Sequence, residues 1–316
     1  MNYKISLFSL ALILVTITSC ANNDEIRIDL NSIVSEDATL EKVTQGYEFD
    51  TAGSPLYMNG DLYFTNNNFD SPGELSRTFR MNADGSIDTL KSGNNVTTTL
   101  KASGQGTIYA CEMLGHRVVE LDQNGQVIRV VVDEYNGTRI DGPNDLVVDQ
   151  KGGLYFSDSQ FIAGREIMQP DPSVYYVSGQ GEITRVIYDV EFPNGLGLSP
   201  DGGTLYVANT PGTQILAYDV AEDGTVSNRR DFAAVELAED SETSGADGMA
   251  IDSEGNLYVA TTQGLGVQIF NSSGDYLGNI EAPTPTNNVS FGGEEDKILY
   301  ISTQDGIYQI SVNIEG

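Results

Sequence analysis

Three short stretches of this chain place an oxygen-bearing side chain in the same local setting: Gly-Pro-Asn144-Asp-Leu, Phe-Pro-Asn194-Gly-Leu and Gly-Ala-Asp247-Gly-Met. Amide and carboxylate oxygens suit a hard cation such as calcium, which takes about six to eight oxygen ligands. Three protein oxygens around one ion leave positions for water and substrate, as a Lewis-acid metal requires. A plainer reading is that Asn-Gly and Asp-Gly are β-turn residues at the starts of strands. Spacing alone leaves both readings open.

These residues need elements that bring them together, and a repeat supplies them. A pattern of Gly or Lys, any residue, Leu or Ile, Tyr, two apolar or small residues and then a polar one occurs at 60–66, 106–112, 152–158, 203–209, 255–261 and 297–303. Its aliphatic positions are Leu62, Ile108, Leu154, Leu205, Leu257 and Leu299. A repeat of roughly 40–50 residues built from short strands is the signature of propeller blades of about four strands each. Aligned on that repeat, the residues opening the innermost strands are Gly53, Thr98, Asn144, Asn194, Asp247 and Asn287, which converge on one axis. The expected fold is therefore all-β, a six-bladed propeller over residues 39–316. An alternating stretch at 39–45 lacks a neighbouring hairpin partner and is expected to close the ring as the outer strand of the last blade, hiding the edges that invite aggregation.

The first 19 residues have the form of a signal peptide: Lys4, then an apolar run over 7–17 that is too short to span a membrane. The segment ends Ile17-Thr18-Ser19-Cys20, similar to a bacterial lipobox, which implies cleavage before Cys20 and lipidation of its thiol. Residues 20–38 then form a polar tether. The expected address is the bacterial cell envelope, with the membrane reached through the lipid anchor alone and the protein a monomer. Cys111 is the remaining cysteine, expected as a small core residue. With 46 acidic against 16 basic residues and a formal net charge of −30, nucleic acid is excluded as a partner. No Gly-x-Ser-x-Gly, Walker or His-Glu-x-x-His motif is present, which removes serine-hydrolase, nucleotide and zinc-protease readings.

Taken together, Asp141-Gly-Pro-Asn144-Asp-Leu, Pro193-Asn194-Gly-Leu, Ser199-Pro-Asp-Gly202, Leu205-Tyr-Val-Ala-Asn209, Ala246-Asp247-Gly-Met-Ala-Ile-Asp252 and Phe291-Gly-Gly293 resemble the gluconolactonase/regucalcin family of six-bladed propellers. The resemblance implies a calcium-dependent hydrolase of sugar lactones, with a small-molecule lactone as substrate. By motif, Asn194 and Asp247 match metal ligands. Asn144 matches a position that ligates or touches substrate, and Asp247 also matches the general base. One departure stands out: the family's first blade usually opens with Glu-Gly-Pro, whose Glu is a ligand, and the aligned residue here is Gly53. Glu48 and Glu112 are the candidate replacements. Arg139, Asp158, Glu112 and Phe161 are candidates for substrate contact, Phe161 from a long loop at 159–172 that could wall the site. Other occupants of the same scaffold are a phosphotriesterase-like hydrolase and a non-catalytic propeller that binds a ligand or protein.

Overall fold

The computed structural model describes residues 30–35, 37–160 and 166–316. Cys20 and Phe161 lie outside the described residues. Six four-stranded antiparallel sheets account for nearly all the regular structure. Their innermost strands are Ala52–Met58, Thr97–Ala102, Pro143–Val148, Pro193–Leu198, Ala246–Ile251 and Thr286–Gly292. Each packs against the next, and the sixth returns to the first, so the sheets form a closed ring of blades. Closure is as expected: Glu41 and Lys42 pair with Gln309 and Tyr308, making the N-terminal strand the outer edge of the sixth blade.

The core of this ring is divided into wedges, because each blade is apolar on both faces. Leu56, Met58 and Tyr63 of the first blade meet Leu100, Ile108 and Val119 of the second. The same arrangement recurs around the ring and ends where Tyr300 and Ile307 of the sixth blade meet Phe64 and Phe79 of the first. Cys111 is wholly buried in the wedge between the second and third blades, which drives its thiol pKa well above the usual range and makes it inert.

One irregularity is repeated where chemistry would be placed. Every innermost strand slips register just after it opens, between Gly53 and Leu56, Thr97 and Thr99, Pro143 and Leu146, Pro193 and Leu196, Ala246 and Met249, and Thr286 and Asn288. A bulge puts two residues opposite one and re-aims a side chain. The bulged positions include Asn144, Asn194, Asp247 and Asn287, which therefore line the axial cavity instead of standing between the blades.

Candidate functional site

The axial cavity has a volume of about 270 Å³. Gly53, Thr98, Asn144, Asn194, Asp247 and Asn287 all line it, so the six strand-opening positions converge as the repeat required. Phe69, Met113 and Pro285 give it an apolar side. Two carboxylates, Asp145 and Asp247, line it, and among the described residues no Lys, Arg or His does.

The rim is held by bonds from blade to blade. Asn144 Nδ2 donates to Asn194 Oδ1 at 2.7 Å. Asn194 Nδ2 donates to Thr210 Oγ1 at 2.9 Å, and Thr210 in turn donates to the Ala246 carbonyl at 2.8 Å. Because the Ala246 carbonyl can only accept, Thr210 must accept from Asn194, which fixes the orientation of that amide. Thr98 Oγ1 donates to the Asn144 carbonyl at 2.6 Å, and Asn287 Nδ2 to the Ala52 carbonyl at 2.7 Å.

The glycines after Asn194 and Asp247 have a reason other than turn formation. Neither Gly195 nor Gly248 adopts positive φ. A Cβ on Gly195 would stand 2.0 Å from the Asp247 carbonyl oxygen, and one on Gly248 2.3 Å from Asn288 Cγ. Each glycine lets the next blade's innermost strand approach, so the Asn-Gly and Asp-Gly pairs serve close packing of the ring.

Asp247 is half-buried, meeting the cavity on one side and packed protein on the others. Burial, then the nearby negative charge of Asp145, push its pKa from 3.8 up to about 8, against the opposing effects of Asn194 and the Gly248 N–H. Asp145 was not singled out by the sequence, although it follows Asn144 directly. It is 2% exposed. Its carboxylate accepts from Thr99 Oγ1 at 2.8 Å, Leu146 N at 2.9 Å and Leu196 N at 2.8 Å. Burial raises its pKa despite those bonds and Lys101.

Other expected site residues are placed elsewhere. Glu112 does not line the cavity: it is fully buried, with Lys91 Nζ and Arg117 Nε each 2.6 Å from its carboxylate and Asn95 Nδ2 at 3.1 Å. Burial would raise its pKa, but the two cations outweigh that and hold it below the usual value. Glu48 is exposed and outside the cavity, so neither glutamate replaces the missing ligand at Gly53. Asp158 accepts from Asp141 N at 2.8 Å and Gly142 N at 2.7 Å, and burial lifts its pKa to about 6. Asp141 in turn receives Met168 N at 2.6 Å and Gln169 N at 2.9 Å, anchoring the long loop's far end. Arg139 is exposed and donates to the Gly115 carbonyl at 3.2 Å. These three hold chain segments in place around the third blade.

The SMP-30/gluconolactonase/LRE-like family model matches residues 51–305. The chain belongs to that family. It is 28% identical over 287 residues to a gluconolactonase of Zymomonas mobilis, covering 82% of this chain and 80% of the relative. A pentonolactonase of Haloferax volcanii is 32% identical over 192 residues, 58% of this chain and 62% of that protein. Among solved structures, a gluconolactonase from Xanthomonas campestris superposes with a TM-score of 0.76 at 28% identity, over 90% of this chain and 92% of its own. The calcium-binding regucalcin of Agrobacterium tumefaciens, at 16% identity and a TM-score of 0.71, shares the fold.

The donors present suit a divalent cation in kind. Among the described residues no three His, Cys, Asp or Glu side chains cluster as a metal site. Asn144, Asn194 and Asp247 nevertheless offer hard oxygens at one cavity, and among the described residues no Lys, Arg or His lines it beside its two carboxylates. A bound cation would relieve that imbalance.

Proposed function

We propose that this chain hydrolyses a sugar lactone or a similar small cyclic ester in the axial cavity, with a divalent cation, calcium, held by Asn144, Asn194 and Asp247. The observation that carries this reading is the convergence of Asn144, Asn194 and Asp247 on one cavity that no Lys, Arg or His lines among the described residues, with burial raising the pKa of Asp247 to about 8. The gluconolactonase and pentonolactonase relatives support the same substrate class.

When bound, the cation would polarise the lactone carbonyl. Asp247 takes a proton from a water as that water attacks the carbonyl carbon. The ring's acyl–oxygen bond then breaks, the ring oxygen takes up a proton, and an open-chain hydroxy acid leaves. A carboxylate at 3.8 is a weak base at neutral pH, whereas one near 8 is well matched to it. Cation ligation pulls that value down again, but lactones are activated esters and need only a modest base. Asn144, fixed against Asn194, positions substrate or attacking water, while Phe69, Met113 and Pro285 exclude solvent from one side.

The test is proton release from glucono-δ-lactone and a set of related aldonolactones, with chelator and with calcium restored. Calcium-dependent turnover, lowered about 10²–10⁴-fold in Asp247→Asn, is expected. Lactone binding by calorimetry without turnover above the spontaneous rate would make the propeller a binding protein, the alternative favoured by the loss of a ligand at Gly53. Lipid anchoring at Cys20 in the cell envelope belongs to the same reading. Its support is the apolar run and Ile-Thr-Ser-Cys sequence, and Cys20→Ala should abolish radiolabelled palmitate incorporation.

A further inference from the structure

Gly53 leaves the first blade without the carboxylate that the strand-opening position could have provided, yet the space beside it is filled. A Cβ built on Gly53 would lie 3.0 Å from Thr65 Oγ1 and 3.4 Å from Asn67 Nδ2. Asn67 follows the blade's second strand, Asp61–Asn66, lines the axial cavity and is 5% exposed. Its amide nitrogen donates to the Thr97 carbonyl at 2.9 Å and to Thr65 Oγ1 at 3.3 Å. A carbonyl can only accept, so the Thr97 bond fixes which end of the amide is nitrogen. The other end, Asn67 Oδ1, is buried with no hydrogen-bond partner. Leaving a buried carbonyl oxygen unpaired is costly, and such orphans call for a ligand.

We propose that Asn67 Oδ1 supplies the first-blade oxygen to the cation in the axial cavity, in place of a side chain on residue 53. The proposal rests on the cation reading given above and adds a donor from the side of the cavity that Asn144, Asn194 and Asp247 leave unserved. The contact is neutral, so the site carries one charge fewer than it would with a carboxylate on the first blade, and calcium affinity follows ligand charge.

The experiment is isothermal titration of calcium chloride into the purified chelated protein and into Asn67→Ala, Asn67→Asp and Asp247→Asn, with melting curves in chelator to confirm folding. Expected are binding by the parent, loss in Asp247→Asn, weakening by about tenfold or more in Asn67→Ala, and tightening in Asn67→Asp. A second construction guards against misfolding at Asn67: Gly53→Glu combined with Asn67→Ala clears the space beside residue 53 and should bind more tightly than Asn67→Ala alone. Unchanged affinity in a folded Asn67→Ala, with Asp247→Asn still deficient, would overturn the role of Asn67 and leave the cation site standing. No heat of binding from the parent with calcium, magnesium or manganese would overturn both.

Discussion

Asp145 and Asp247 face the same cavity from the third and fifth blades, and after burial itself the charge of Asp145 is the strongest influence lifting the pKa of Asp247. In Asp145→Asn that repulsion is gone, so the acid limb of the kcat/KM profile should move to lower pH. The same substitution sets an amide against three groups that only donate to it now, Thr99 Oγ1, Leu146 N and Leu196 N. A loss of about 1–3 kcal/mol in urea denaturation is expected. A profile that does not move would separate the two carboxylates.

The raised pKa of Asp247 also dictates how stability depends on pH in chelator. Its folded value of about 8 exceeds its ordinary 3.8, so the folded state holds the proton more tightly than the unfolded chain. That contribution is fully present below about 4 and is lost as pH rises through about 8. Denaturant midpoints should therefore fall across this window, less so in Asp247→Asn, which cannot ionise. Equal slopes in parent and variant would count against a raised value.

Gly195 and Gly248 are required by the approach of the neighbouring blade. Gly195→Ala drives a Cβ into the Asp247 backbone and should cost about 3 kcal/mol or more, while Gly248→Ala meets the Asn288 side chain. Because that amide can rotate aside, the second variant should be the milder. Melting temperatures in the reverse order would mean that the blades separate more readily than their packing suggests.

Glu112 serves the second blade's structure. Glu112→Gln leaves Lys91 and Arg117 facing a neutral partner and should destabilise by about 3 kcal/mol, with KM unchanged. Since its folded pKa lies below the usual 4.5, its stabilisation is present above that value and disappears as pH falls through the folded one. A KM that rises severalfold in a folded variant would return Glu112 to the substrate site.

What the amino-acid order determined by itself was local and periodic. Recurring Leu-Tyr strands at intervals of 42–52 residues count the blades, and the same register marks Asn144, Asn194 and Asp247 as residues that share an axis. A strand-opening position is set by the chain immediately around it, so it can be read along the chain. The partners of these residues could not, because they are joined only when blades close on each other. Asp145 looks like an ordinary neighbour of Asn144 until Leu196, 51 positions on, donates to it. Glu112 and Asp158 look available for substrate until Lys91, Arg117 and the backbone at Asp141 and Gly142 take up their carboxylates. Asn67, one of three consecutive asparagines, stands out only when Thr97 of the next blade claims its nitrogen and leaves its oxygen buried without a partner beside a cavity that the linear sequence does not contain.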